Sequence, residues 1–191
     1  MRLGRSYVGL AVLVLVVGGC SQTQTVVAPA PPPTTTSSRY GAPAVPRSLD
    51  VAAASASPCQ ALLSSNDRRE LGVTGAGTED EVLGARGCKW SVGDLQRFSI
   101  SVYDNRDLLA DTYRAHLDPI FVPTEIQGFP AVRQKTGRGE LNICTVTTGV
   151  AERGALDVLW LGAGPPTPEN DACEFAEQAT ALVIRKLPPQ R

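Results

Sequence analysis

Runs in which apolar and polar residues alternate predict the strands of this chain. Residues 88–92 and 98–102 alternate in this way on either side of Gly93-Asp94, a pattern typical of a β-hairpin. Further strands are predicted at residues 121–126, 129–134, 141–148 and 155–161. A Gln-Gly turn joins the first two of these, and the last two are longer.

Three helices are predicted, the first from its capping serines and Gly72, and the other two from apolar positions that recur every three or four residues. The first covers residues 66–71, the second ends at His116, and the third carries an apolar stripe from Ala172 to Val183. Each is preceded by polar residues whose side chains can accept from the free backbone N–H groups of a first turn. The expected caps are Ser64 or Ser65, Asp104 or Asn105, and Thr167.

The elements follow the order α-β-β-α-β-β-β-β-α, with the strands clustered between helices. This order is typical of an α+β domain, in which we expect an antiparallel sheet with the helices packed on one face. We place this single folded domain at residues 58–188, a length that can bury an adequate core.

The N-terminus has the pattern of a signal peptide. Arg2 and Arg5 precede an apolar run over residues 7–17. A helix over this run would cover only about half of the hydrocarbon thickness of a bilayer, so a membrane span is excluded. We therefore expect residues 1–19 to be a signal peptide and the rest of the chain to be exported.

The sequence Val-Gly-Gly that precedes Cys20 resembles a bacterial lipobox. In lipoproteins of that kind the cysteine thiol receives a diacylglyceryl group, and cleavage leaves the cysteine as the first residue. Two acyl chains anchor a protein stably where one chain is marginal. We expect lipidation at Cys20 and a place on the outer face of the cytoplasmic membrane, the alternative being an ordinary signal peptide with a chance cysteine.

The segment after the lipobox has the composition of a disordered stalk. Between residues 21 and 57 only Arg39, Arg47 and Asp50 are charged, and the rest is mainly Pro, Ala, Thr, Ser and Val. Such a sequence buries too little apolar surface to offset the entropy of ordering it. We expect residues 20–57 to form a flexible stalk that begins with the lipidated cysteine.

Charge and histidine content exclude several classes of function. The 18 basic and 19 acidic side chains give a formal net charge of −1, which lacks the positive excess that nucleic-acid binding requires. The chain has one histidine, so catalysis by two histidines and zinc sites with paired histidines are excluded. We expect no nucleic-acid partner.

Four cysteines remain once Cys20 is set aside as the lipidation site, and an even number in an exported domain indicates two disulfides. The alternative is a metal site, but zinc-binding cysteines usually stand two to four residues apart, much closer than these. From the residues alone, three pairings stay open. The four are Cys59, Cys88, Cys144 and Cys173.

Several short patterns, in this order, resemble an actinobacterial lipoprotein family known as domain of unknown function 3558. They are Pro58-Cys59-Gln60-Ala61-Leu62-Leu63, Glu70-Leu71-Gly72, Gly87-Cys88-Lys89-Trp90-Ser91, Gly128-Phe129-Pro130-Ala131, Cys144, and Cys173 to Ala176 ahead of Leu187-Pro188. The resemblance covers most of residues 58–188 together with the lipobox and the stalk. Because each half of the pattern carries its own two cysteines, it implies the bonds Cys59–Cys88 and Cys144–Cys173, and the predicted elements agree. It implies no enzymatic activity.

The remaining candidate residues each have a simple structural interpretation. His116 ends the second helix, where a cation suits the helix dipole, and no Gly-x-Ser-x-Gly motif supplies a nucleophile. The glycine-rich stretch at residues 72–77 lacks the Gly-Lys-Ser/Thr of a nucleotide loop, and the acids at residues 79–81 lack the spacing of a calcium loop. Trp90 and Trp160 fall in strand patterns and are expected in the core.

Two classes of function stay open. The first, which we favour, is a non-catalytic binding module at the cell envelope that holds a small apolar ligand or a partner protein. The second is an envelope hydrolase or transferase with an unrecognised site. The first is preferred because no nucleophile–base pair or metal cluster can be assembled from residue type and spacing. We expect no catalytic residue, cofactor or metal, and a membrane contact through the diacylglyceryl anchor.

Overall fold

An antiparallel sheet forms the body of the protein. The computed structural model describes residues 39–135, 142–162, 164, 167 and 171–191. The strands in this part are β1 (Thr78–Val82), β2 (Ala85–Val92), β3 (Gln96–Tyr103), β4 (Ile120–Ile126), β5 (Phe129–Lys135), β6 (Asn142–Ala151) and β7 (Gly154–Gly162). They lie side by side in the order β1-β2-β3-β7-β6-β5-β4, and every neighbouring pair is antiparallel.

All six predicted strands are confirmed, and one more strand, β1, was not predicted. Its residues are mostly acidic and exposed, so it carries no alternation of apolar and polar positions. It forms because β2 offers a free edge, to which it is also linked by the ion pairs Glu79–Arg86 (3.2 Å) and Asp80–Lys89 (3.4 Å). The acids at residues 79–81 therefore belong to an edge strand.

Short helices precede the sheet and two longer ones follow its strands. They are α1 (Ala52–Ala56), α2 (Pro58–Ala61), α3 (Ser65–Glu70), α4 (Leu108–Ala115) and α5 (Ala172–Ile184). The predicted cap Ser64 is confirmed by a capping box with Asp67. The caps expected for the two longer helices are wrong. Asp107 caps α4 and Asp171 caps α5, and the carboxylate of each accepts from first-turn N–H groups.

One face of the sheet carries the main core, which α5 covers. Cross-strand pairing places Trp90, Phe98, Trp160 and Cys144 in one row across β2, β3, β7 and β6. The ring of Phe175 on α5 lies 4.0 Å from that of Trp160, measured between centroids. This aromatic layer therefore joins the sheet to α5.

The expectation that the helices share one face of the sheet is wrong for α4. Leu109 and Ala110 of α4 form a separate apolar cluster with Val132 of β5, and Gly149 of β6 also faces Leu109. Val132 is paired with Thr147 and Cys144 is bonded to α5, so α4 and α5 lie on opposite faces. The class is α+β, with helices on both faces.

The packed part of the chain begins well before the boundary expected at residue 58. Residues 42–51, which we call the N-terminal strap, bring Leu49 and Val51 into the core at 6% exposure each. Leu49 N donates to Val150 O at 2.8 Å, and Gln190 N donates to Ser48 O at 2.9 Å. Apolar residues spaced among Pro, Ala and Ser thus suffice for packing, and the fold extends past residue 188. The predicted signal peptide at residues 1–19 and the predicted stalk up to residue 38 lie outside the described residues.

Candidate functional site

The sheet has a second face, directed away from α5, and beside the area that α4 covers this face carries short polar side chains. Cys144 points toward α5, so Thr145 and Thr147 on the same strand point the other way. Pairing places Asp157 of β7 beside Thr147, and paired residues of an antiparallel sheet share a face. We call this set the polar face; it consists of Ser99, Ser101, Thr145, Thr147, Asp157 and Leu159.

Asp157 is at the centre of the polar face. Thr147 Oγ1 donates to its Oδ1 at 2.6 Å, and Ser101 is its partner on the other side, on β3. Thr147 and Ser101 are 1% and 6% exposed, whereas Asp157 is half-buried and keeps some contact with solvent. In the part of the chain that the structure describes, Asp157 accepts no other hydrogen bond and belongs to no ion pair.

This environment alters the acidity of the carboxyl group. Burial raises the pKa of Asp157 from 3.8 to about 6, although the hydrogen bond from Thr147 lowers it in part. Burial also raises the pKa of Tyr103, which lies two residues beyond Ser101 on β3. The charge of Asp157 raises the pKa of Tyr103 further. The carboxylate is therefore ionised at neutral pH, but only at a cost to the folded state.

Aromatic side chains fill the space between the sheet and α5. The centroids of Trp90 and Phe98 are 4.9 Å apart, and those of Phe98 and Phe175 are 5.0 Å apart. Trp90 and Trp160 are 2% and 4% exposed, which confirms the prediction that both lie in the core. Room for a ligand is found instead in surface clefts, one of about 260 Å³ beside Phe175 and one of about 500 Å³ beside the N-terminal strap.

The predicted disulfides are present with the expected pairing. Cys59 is bonded to Cys88 and Cys144 to Cys173, with Cα atoms 5.0 and 5.2 Å apart. The first bond fastens α2 to β2 and the second fastens α5 to β6, so both hold a helix on the core face. Cys20, the predicted lipidation site, lies outside the described residues.

The other sequence candidates do not come together. His116 follows α4 in the left-handed conformation (φ 38°), is exposed, and stacks on Phe121 at 4.1 Å between centroids. Its place at the helix end is the one expected. Within the described ranges, no three residues among His, Cys, Asp and Glu are grouped closely enough to hold a metal ion.

Sequence reasoning did not single out Asp157. The strand that contains it was predicted, but no role was assigned to the carboxylate within it. The signal available was a carboxylate in the middle of a strand with buried apolar neighbours, which is unusual because such a group is costly to desolvate. Its hydrogen bond to Thr147 requires the pairing of β6 with β7, which the local pattern does not specify.

Comparison with known proteins gives a match to a family and none to individual proteins. The model of the family described as Protein of unknown function (DUF3558) matches residues 15–186. No curated protein and no solved structure matches the chain. Of the helices in the described residues, none is both long and apolar enough to cross a membrane.

Proposed function

This chain belongs to the family described as Protein of unknown function (DUF3558), and we propose that it is a lipid-anchored, non-catalytic binding module of the cell envelope. In this proposal Cys20 carries the anchor, and the polar face contacts a partner protein. The anchor is supported by the lipobox-like sequence before Cys20. The binding role is supported by one observation above all, the environment of Asp157.

A half-buried carboxylate with one hydrogen bond destabilises the domain that contains it. An asparagine of the same shape, or a threonine like those beside it, would form the strand at lower cost. Strongly shifted carboxyl groups are concentrated at functional sites, and stability is commonly sacrificed there. The presence of this costly carboxylate on an otherwise hydroxyl-rich face therefore favours a binding role for that face.

A partner protein fits this surface better than a small apolar ligand. The rings of Trp160 and Phe175 occupy the space between sheet and helix in which an apolar ligand would otherwise be enclosed. The polar face is covered by α4 near Thr147, but the half-buried Ser99, Thr145 and Leu159 form a shallow surface of short side chains on paired strands. Surfaces of this shape suit contacts with another macromolecule, because small ligands require a concave pocket to bury most of their area.

The environment of Thr147 argues against catalysis at this site. Thr147 and Asp157 resemble a nucleophile and a base, since a hydroxyl donates to a carboxylate at 2.6 Å. However, Thr147 is 1% exposed, so its oxygen has no path to the carbonyl group of a substrate. The pair is therefore assigned to structure and electrostatics.

The anchor is tested by expressing the full chain in a bacterial host that processes lipoproteins. We expect the wild type to partition into detergent and to carry diacylglyceryl on Cys20 by mass spectrometry. Cys20→Ala should accumulate as the uncleaved precursor. Incorporation of labelled fatty acid into this variant would contradict the assignment.

The binding role is tested by photo-cross-linking in intact cells. A photoreactive residue at Ser99, on the polar face, should give a discrete adduct with a protein, and Asp157→Asn should weaken it. The matched control carries the same photoreactive residue at Gln178, an exposed position on α5. Equal adducts at both positions, or an adduct at Ser99 that is indifferent to Asp157→Asn, would show that the polar face is not the binding surface.

A further inference from the structure

We infer that the polar face binds a cationic side chain, a lysine or arginine of its partner, against the carboxylate of Asp157. This inference rests on the proposed function and gives the chemistry of the group that the polar face recognises. The hydrogen bonds of Asp157, the charges around it and the side chains at its rim support this inference.

Asp157 has an incomplete set of hydrogen bonds in the described residues. An ionised carboxylate has two oxygens and can accept about four hydrogen bonds. Oδ1 accepts from Thr147, while Oδ2 has no donor among the described residues. Because Asp157 is half-buried rather than enclosed, a donor from outside the protein can approach it.

Asp157 also has no counter-ion in the part of the chain that the structure describes. A carboxylate that is removed from water is normally paired with a cation, and Asp157 has none within ion-pair distance in the described ranges. Tyr103, on β3, is the ionisable group of the adjacent strands that interacts with it, and it is neutral at ordinary pH. The neighbouring strand β6 contributes only uncharged side chains to the polar face.

Two cations close to the polar face already have partners. Lys89, in the row of Ser99 and Leu159, pairs with Asp80 at 3.4 Å. Arg106, in the connection between β3 and α4, pairs with Asp111 of α4 at 2.6 Å. No cation of the described residues lies within ion-pair distance of Asp157, so we expect its counter-ion to come from a second molecule.

The side chains around Asp157 suit a long cationic side chain. Ser99 and Thr145, in the next row of the polar face, are half-buried, and their hydroxyl oxygens can accept from the additional N–H groups of an ammonium or guanidinium. Leu159, two residues along β7, is half-buried and offers an apolar contact for the methylene groups of a long cationic side chain.

The test uses the mature full-length lipoprotein in detergent micelles, observed by NMR. The probe is Nα-acetyl-arginine amide, and its matched control is Nα-acetyl-citrulline amide, which has the same shape without the charge. We expect the arginine compound to shift the resonances of Asp157, Ser101 and Leu159 saturably, and the citrulline compound to leave them unchanged. Asp157→Asn should abolish the shifts, whereas Asp94→Asn, the same change at an exposed turn, should not.

Acidity gives a second measurement. Because the proton competes with the cation for the same carboxylate, affinity for the arginine compound should fall about tenfold between about pH 7.5 and pH 5. Equal binding of citrulline, an unchanged affinity in Asp157→Asn, or shifts confined to another surface would overturn the inference. A cross-link at Ser99 without arginine binding would overturn this inference alone; loss of both results would also remove the proposed function.

Discussion

Replacing Asp157 by asparagine should stabilise the protein at neutral pH. The amide has nearly the shape of the carboxylate and can still accept the hydrogen bond from Thr147, but it does not ionise. The substitution therefore removes the cost of the buried charge and leaves the packing of the polar face in place. Most substitutions of half-buried strand residues destabilise, so the direction of this effect is diagnostic.

The magnitude follows from the pKa of Asp157, which burial raises from 3.8 to about 6. Each pKa unit corresponds to about 1.4 kcal/mol, so the ionised carboxylate costs about 3 kcal/mol at most. Partial exposure of the side chain lowers this, and we expect a gain of about 1–3 kcal/mol for Asp157→Asn at neutral pH. For a domain of this size the melting temperature should rise by roughly 2–4 °C per kcal/mol.

The pH dependence has a definite sign. Since the folded state binds the Asp157 proton more tightly than the unfolded state, this group's contribution to stability is full below about pH 4 and is lost as the pH rises through about 6. The advantage of Asp157→Asn over the wild type should therefore be small near pH 4 and largest above pH 7. Other carboxylates titrate in both proteins, so the difference between the two curves isolates Asp157.

The assay is denaturant unfolding of the oxidised protein at several pH values, with Asp94→Asn as the exposed control. The control should differ little from the wild type at any pH. An advantage of Asp157→Asn that is constant from pH 4 to pH 8 would refute the link to ionisation. A loss of stability at neutral pH would refute the claim that the charge is costly.

Three further substitutions test the core face and its helices. Replacing both Cys59 and Cys88 by serine should cost about 3.5 kcal/mol, because the bond closes a loop with a sequence separation of 29. Gly77→Ala should cost about 2–4 kcal/mol, since φ is +83° and a Cβ would lie 2.5 Å from the sulfur of Cys88. Asp171→Ala removes the cap of α5 and an ion pair with Lys135, at about 1–2 kcal/mol near neutral pH.

Each of these has its own check by unfolding. Gly75→Ala is the control for Gly77→Ala, because Gly75 has φ +99° and open space around it, so only backbone strain should cost stability, by about 1 kcal/mol. An equal loss of stability at both glycines would rule out a collision between the new Cβ at residue 77 and the sulfur of Cys88. Burial raises the pKa of Asp171, but Lys135 and backbone N–H donors more than offset this and lower it. The cost of Asp171→Ala should therefore shrink as the pH falls below about 4, and persistence in acid would contradict the assignment. A reduced wild type as stable as the oxidised one would contradict the disulfide estimate.

The sequence predicted the strands well because one face of the sheet is apolar and the other is polar. Residues such as Val146 and Val158 point into the core while Thr147 and Asp157 point away, so the period of two is visible along the chain. Strand β1 has no apolar face, and only its pairing with β2 determines its conformation. Local pattern alone therefore does not reveal it.

The local sequence also does not determine which residues cap the two longer helices. Asp104 and Thr167 are chemically able to cap a helix, and each lies a few residues before the residue that does. The selected caps also make tertiary ion pairs, Asp107 with Arg39 and Asp171 with Lys135. Contacts with distant residues thus decide among caps that the local sequence leaves nearly equivalent.

The N-terminal strap determines how the fold responds to tension. It lies between the proposed membrane anchor and the first disulfide, and its hydrogen bonds run from Leu49 to Val150 and from Gln190 to Ser48. A force transmitted from the membrane would load these few bonds before it reached Cys59, and everything between the bonded cysteines would be shielded by covalent links. Peeling of the strap would lengthen the tether, but it would also expose the part of the core that Leu49 and Val51 fill, so the fold resists this extension.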